Sequence, residues 1–299
     1  MSDGVILVIG ATGAQGGATA RRLLAAGWSV RFLTRDTGSP AARVLVEAGA
    51  DAVQGDLDDE TAVARAVCGT VGVFSVQLPG PQETQQGFTL VEQALKAGVR
   101  QFIHTSVTET QNHTKFPGWG SGRWMESYWT AKWDIEEKVR GAGFAAWTVL
   151  RPAFMMENFI PPKVQFMFPS LASGEIATAM KLDTILQLIS AEDVGAFAAA
   201  AFAAPAVYDG HNIDLAAEAP TIAGIADTLS RVLGRDIHAV ALTPEEARAR
   251  GMFPGWVQSQ EWTNEAGYHA DISELKQYPV KLTSFAEWIE AHRRDFRFV

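Results

Sequence analysis

The sequence predicts an α/β fold, a doubly wound parallel sheet with a smaller C-terminal α/β domain over it as a lid. Three observations lead there. Through the first half of the chain, short β-rich runs alternate with helical stretches of about 10–15 residues, the pattern of successive strand–helix–strand units. A glycine-rich turn, Gly10-Ala-Thr-Gly13-Ala-Gln-Gly16-Gly17, follows the first apolar run and opens the first helical one. Past Arg151 the alternation stops, and Gly, Pro and Met gather around Met155–Met167.

Each element has its own signal. Val5–Ile9 is apolar without a break, as a central strand buried on both faces must be. Gly16–Ala26 places Leu23 and Leu24 on one side and Arg21 and Arg22 on the other, a helix. Next come a strand at Ser29–Leu33, a helix at Ala41–Ala48, a short strand at Ala52–Gln54 and a helix at Glu60–Val67. Gly72–Val76 is a strand, Glu83–Ala97 a long helix and Gln101–His104 a strand. After an irregular segment, a helix runs from about Tyr128 to Arg140, before the sixth strand at Ala146–Leu150. Right-handed crossovers place every strand's carboxyl end on one rim, where ligands bind.

The second half reads differently. Ser190, with Glu192 and Asp193 behind it, starts an alanine-rich helix to Phe202. Thr221–Leu233, ended by Gly234, and Pro244–Ala249 are further helices, and Thr283-Ser284 precedes a terminal one at Phe285–Ala291. The expected division is a cofactor domain over residues 1–152, with a returning segment near 186–215, and a lid made mainly of 153–299. No internal repeat or low-complexity linker interrupts the chain.

Bulk properties narrow the function. At 299 residues, 47% hydrophobic and 20% charged, the composition is that of a globular protein. The net charge is −9 and no basic run occurs, which argues against a nucleic-acid partner. Val194–Val207, the longest apolar run, is broken by Pro205 and short of the roughly 20 residues a membrane span needs. No signal-peptide pattern opens the chain, and Cys68 is the lone cysteine, so the expected location is the cytoplasm. Cys68 reads as a buried helix cysteine. His113, His211 and His269 show no ligand spacing, so no metal is expected.

The glycine turn carries the chemistry. Gly10 permits the tight turn, Gly13 lets the backbone approach a pyrophosphate, and Gly16 lets helix and strand pack closely, as in a Rossmann dinucleotide site. The helix N-terminus offers free N–H groups to the phosphates. The second strand ends in Thr34-Arg35-Asp36. An arginine there accommodates the 2′-phosphate of NADP(H), whereas Asp36 as the ribose ligand would favour NAD; Arg35 tips the reading to NADP. Asp56 and Leu57 sit where the adenine would lie, although Asp56 also fits a turn or helix cap.

Several segments together resemble the NmrA-like family, atypical members of the short-chain dehydrogenase/reductase superfamily. They are the Gly10–Gly17 turn with Thr34-Arg35, then Gln82–Gly87 leading through Ala97-Gly-Val99 to Phe102–Ser106. Arg151-Pro-Ala-Phe154 with Glu157-Asn158, and Ile189–Gly195, complete the set. The resemblance spans about residues 5–200. It implies an NADP(H)-binding Rossmann domain under a small C-terminal domain. It also implies either of two functions: a reductase of quinones or other carbonyl compounds, or a dinucleotide-sensing regulator that docks a partner protein.

Tyr128-Trp-Thr-Ala-Lys132 is similar to the Tyr-x-x-x-Lys pair of active short-chain dehydrogenases. Positions i and i+4 share a helical face, so the ammonium is expected to lower the phenol's pKa. Tyr128 is then the proton donor, and Lys132 also holds the nicotinamide ribose. The serine or threonine that orients the carbonyl in such enzymes falls on Val107, flanked by Ser106 and Thr108; Ser106 is the substitute. Trp119, Trp124, Trp129 and Trp133 either wall a planar substrate or anchor the loop of residues 110–127. Phe154, Met155 and Met156 line the nicotinamide end or pack beneath the lid, with Asn158 as the polar group there. The expected cofactor contacts are thus Gly10, Thr12, Gly13, Gln15, Gly16, Arg35, Asp56, Leu57, Gln77, Lys132, Phe154 and Asn158. The expected partner is a small-molecule substrate, with no membrane; a homodimer or a docked protein stays open.

Overall fold

The computed structural model describes residues 4–296. Its strands are β1 Val5–Val8, β2 Ser29–Thr34, β3 Asp51–Gln54, β4 Thr70–Ser75, β5 Gln101–Thr105, β6 Ala146–Pro152, β7 Phe154–Met155, β8 Glu175–Thr178, β9 Leu188–Ile189, β10 His211–Leu215 and β11 His238–Ala241. Its α-helices are α1 Ala14–Ala25, α2 Pro40–Glu47, α3 Glu60–Val67, α4 Glu83–Lys96, α5 Glu126–Arg140, α6 Val164–Met167, α7 Ala191–Ala203, α8 Pro205–Tyr208, α9 Ile222–Leu233, α10 Pro244–Ala249, α11 Pro254–Glu265 and α12 Phe285–Ala291.

Seven strands form one sheet in the order β10-β6-β5-β4-β1-β2-β3, every neighbouring pair parallel. From β1 the chain goes outward to β2 and β3, then crosses to β4, so the order reverses between β1 and β4. A ligand crevice opens at such a reversal, beyond the carboxyl ends. The apolar run of β1 is explained by its two-faced burial. Ile6 and Val8 pack with residues of α1 and α7 on one side, and Leu7 packs with residues of α3, α4 and α5 on the other. Ser190, Thr221 and Ser284 each accept a backbone N–H at the start of α7, α9 and α12, the caps that their sequence positions predict.

Helix α7 lies against α1, and Gly195 makes the approach close: a Cβ there would fall 2.7 Å from the Ala18 carbonyl carbon. The remaining C-terminal elements build a second core, in which Phe154, Phe159, Phe168, Trp256, Phe285 and Trp288 are all buried. There β8 and β11 form a small parallel pair.

Three expectations are corrected. The sheet has a seventh strand, β10, whose His211, Asn212 and Asp214 hide it from a search for apolar runs; at a sheet edge such polar positions are tolerated. Helix α11 was not expected, because its apolar and polar residues lack a clear stripe and Pro254-Gly255 opens it. Cys68 is exposed: it is the C-cap of α3, one position past the buried Ala62, Val63, Ala66 and Val67.

Candidate active site

A cavity of about 1160 Å³ opens at the carboxyl rim, between the sheet and the second core. Its floor comes from the carboxyl ends of β4, β5 and β6 and the residues just past them, including Gln77, Thr105 and Ala153, and from Gln15 of α1. Its walls come from α5 (Tyr128, Trp129, Lys132), from the stretch Phe154–Met167, and from α11 (Trp256, Trp262).

The glycine turn behaves as its spacing demands. Gly10 has φ +67°, the left-handed region that glycine adopts at no steric cost. Any Cβ on Gly16 would overlap the Gly10 carbonyl. Gly13 is the N-cap of α1, no side chain caps the helix, and Thr12, Gly13 and Ala14 are exposed. The uncapped N–H groups suit a pyrophosphate.

Further along the rim, Arg35 and Asp56 meet, with Nε and Oδ2 3.8 Å apart on the surface. Asp36 is engaged locally, its Oδ1 accepting from the Gly38 N–H at 2.8 Å. Asp56 also serves its own turn, accepting from the Asp58 N–H at 3.1 Å. Leu57 is half-buried beside it.

At the cavity end of the rim, the buried amides of Gln77 and Asn158 each keep an oxygen without a hydrogen-bond partner. Gln77 Nε2 donates to Ser75 Oγ at 3.0 Å, and Thr105 Oγ1 donates to Gln15 Oε1 at 2.7 Å. Ser75 Oγ lies 3.2 Å from His104 Nδ1, and burial holds His104 down at about 3, so its ring is neutral. Unpaired buried acceptors carry a cost in isolation. Two of them bordering one cavity, on a fold with an uncapped glycine turn, fit a bound nicotinamide dinucleotide. Such a cofactor would be held by the Gly10–Gly16 turn, Gln15, Gln77, Phe154 and Asn158.

Tyr128 and Lys132 do come together, with Nζ 5.6 Å from the phenol ring centroid. Their electrostatics run opposite to expectation. Lys132 Nζ sits 2.5 Å from Glu83 Oε1, and both side chains are buried. The ammonium is neutralised by that carboxylate, so Tyr128 is not pulled down. Burial pushes its pKa well up, with smaller contributions from Tyr268 and Glu83. Burial also raises the pKa of Glu83, against the opposing pull of Lys132. Sequence reasoning missed Glu83, because it stands 49 positions from Lys132 and reads as an ordinary acidic first-turn residue of α4.

Ser106 borders the cavity, but its hydroxyl lies 3.2 Å from Thr110 Oγ1 and helps hold the Glu136 carboxylate ionised. Arg151 grips Glu136 through two bonds, Nε at 3.0 Å and Nη2 at 2.6 Å. Thr108 donates to the Arg151 carbonyl. Val107 also borders the cavity and packs into an aromatic cluster of Phe116, Trp124, Trp129 and Trp262. Trp124 and Trp129 therefore both anchor the loop and line the cavity. Trp119 packs against the same cluster and, with Trp133, flanks His113. Phe154 also has both roles, lining the cavity while stacking on Trp256 at 5.5 Å. Met155 lines it as well, whereas Met156 is buried in the second core.

Comparison with known proteins agrees with this architecture. The oxidoreductase FrzB of Cladobotryum sp. is 33% identical over 175 residues, 55% of this chain, and the match spans only 50% of FrzB. The NAD(P)H azoreductase of Xenophilus azovorans is 27% identical over 98% of this chain and 99% of its own. The structure of Citrobacter sp. triphenylmethane reductase complexed with NADP(H) superposes with a TM-score of 0.79 at 19% identity, covering 96% of this chain and 99% of that one, a likeness of fold. No helix among the described residues is long and apolar enough to cross a membrane. The model of the NmrA-like family matches residues 2–289, and with nearly the whole chain inside that match, the protein belongs to the NmrA-like family.

Proposed function

We propose that the protein is an NADPH-dependent oxidoreductase that reduces a small hydrophobic carbonyl, quinone or related electrophile by hydride transfer. One observation carries this reading. One cavity is bordered by the residues suited to the nicotinamide end, Gln15, Gln77, Lys132, Phe154 and Asn158, by an aromatic wall, and by Tyr128. The oxidoreductase names of FrzB and the azoreductase support the class. NADP is preferred over NAD because Arg35 stands exposed at the tip of β2, while Asp36 is engaged with Gly38.

When bound, NADPH supplies a hydride to the acceptor carbon. The aromatic wall excludes water and orients a flat acceptor. Tyr128, kept protonated by burial, donates its hydroxyl proton to the oxygen on which charge develops, and solvent reprotonates the phenolate. With a carbonyl acceptor the product alkoxide is the stronger base, so the raised phenol pKa still permits the transfer; a reduced quinone leaves as an aryl oxide and takes its proton from solvent. The Lys132–Glu83 pair holds the ammonium in place without adding net charge to the cavity. The sum is acceptor plus NADPH plus a proton, giving the reduced acceptor and NADP⁺. In this reading residues 1–152 with the returning segment near 186–215 form the cofactor domain, and the rest of 153–299 forms the lid.

Single-turnover oxidation of bound NADPH, followed by its absorbance against quinones, aldehydes, ketones and imines, tests the reading. Decay with one class is expected. Tyr128→Phe should lower its rate about 10²-fold or more with cofactor affinity kept. Unchanged turnover in that variant removes Tyr128 from the mechanism. A specific observation favours a second reading, a redox sensor that docks a protein: the ammonium is neutralised by Glu83, and Val107 stands at the orienting position. Tight NADPH binding with no decay across the panel selects that one.

A further inference from the structure

Among the described residues, three charged side chains border the cavity: Glu83, Lys132 and Lys163. The first two neutralise each other. Lys163 is exposed at the mouth, and among the described residues it makes neither an ion pair nor a side-chain hydrogen bond. Its nearest charged influence, Glu157, is turned elsewhere, accepting from the Ala191 N–H at 2.9 Å and from Trp288 Nε1 at 3.3 Å. The lip around the cavity is apolar: Leu78, Phe166 and Phe253 are 78%, 66% and 65% exposed, unusual for such side chains on a folded surface. In a chain of net charge −9, the single uncompensated charge at this cavity among the described residues is positive.

We propose that the substrate of this site is an amphipathic anion, a flat apolar body bearing one acidic group, and that Lys163 is the residue that binds the acid at the cavity mouth. The proposal rests on the reductase reading and names its substrate class. The aromatic wall takes the body, the lip covers its outer edge, and the ammonium meets a carboxylate, sulfonate or phosphate. Nearby protein displaces part of the Lys163 hydration and lowers its pKa, a cost that an anion beside the ammonium would offset. Because Lys163 lies on the lid side of the site, it selects among acceptors without taking part in the chemistry.

A matched pair of azobenzenes tests this: methyl orange, which carries a sulfonate, and 4-dimethylaminoazobenzene, which lacks it. Equilibrium dialysis with saturating NADP⁺ measures binding without turnover. The wild-type protein should bind the sulfonated dye about tenfold more tightly, the worth of one charge-assisted contact. Lys163→Met should bring the two dissociation constants together with that of the neutral dye unchanged, and Lys163→Arg should keep the preference. NADP⁺ affinity should be the same in all three proteins.

No preference in the wild-type protein, no binding of either dye, or a preference that survives Lys163→Met overturns the proposal. So does a loss of both dyes in Lys163→Met, which would mark a packing role, or a loss of NADP⁺ instead, which would assign the charge to a cofactor phosphate. Companion NADPH assays separate the two readings. Turnover without a preference removes the anion subsite alone, whereas a preference without turnover with any acceptor removes the reductase reading and keeps the subsite.

Discussion

Asp214 shows how single residues carry the tension of this fold. It lies in β10 opposite Arg151, but that guanidinium is committed to Glu136, and Asp214 Oδ1 has no hydrogen-bond partner. Burial, only partly offset by Arg151, pushes its pKa from 3.8 to about 6. Below about pH 4 folded and unfolded chains both hold the proton. Between about pH 4 and 6 the folded chain alone holds it, so stability falls as pH rises, and above about 6 the full cost stands. Asp214→Asn copies the protonated form. It should raise stability at pH 7 by about 3 kcal/mol, with little gain at pH 4, measured by urea unfolding at both pH values. An equal gain at both would mean that the charge is not the cause. At this scale the sequence was legible where neighbours in the chain define the site, as for Gly10, Gly16 and the Tyr128–Lys132 pair. Glu83, which reverses the expected tuning of Tyr128, and Lys163, at the cavity mouth, act through contacts far apart in the chain. No local pattern encodes them.

Helices and strands were legible in proportion to how one-sided their burial is. β1 is buried on both faces and announces itself as an apolar run; α7 announces itself by its cap at Ser190. β10 and α11 carry mixed faces and gave no such signal, yet α11 brings Trp256 and Trp262 to the cavity. The contact between α7 and α1 is the element-scale feature with the sharpest consequence. Gly195 faces the backbone of α1, with a Cβ position 2.7 Å from the Ala18 carbonyl carbon and 2.8 Å from the Thr19 nitrogen. Backbone atoms in a helix cannot step aside as a side chain can, so the helices must separate. In an exposed helix Gly→Ala is stabilising by about 1 kcal/mol. Here Gly195→Ala should be destabilising by about 1–3 kcal/mol, the range for overpacking a tight contact, and thermal unfolding will read the sign. A rise in melting temperature would show that the two helices have slack.

Across the whole molecule, the chain leaves the sheet after β6, builds part of the second core, returns to pair β10 along the outer edge of β6 from Thr148 to Pro152, and then completes that core. Helix α7, from the same later half, covers the face that Ile6, Val8, Phe74 and Ile103 present. Asp193 of α7 is in turn tied to the far C-terminal segment, accepting from the Thr283 backbone N–H at 3.0 Å and from its hydroxyl at 2.8 Å. Leu275 and Tyr278 also complete the core on that face. The layered α/β plan was legible from strand–helix alternation alone. The interleaving was less so, because it depends on a polar edge strand and on contacts between segments more than 80 residues apart. A physical consequence follows for stability. Residues 1–152 alone would leave the β6 edge unpaired and one sheet face bare, both of which favour aggregation over folding. The full chain should therefore unfold in a single thermal transition, with far-UV circular dichroism and the tryptophan signal of the second core coinciding. A chain ending at Pro152 should be insoluble or lack a cooperative transition. A soluble 1–152 fragment that melts cooperatively, or two separated transitions in the full chain, would mean that the returning strand and α7 are additions to a sheet already stable without them.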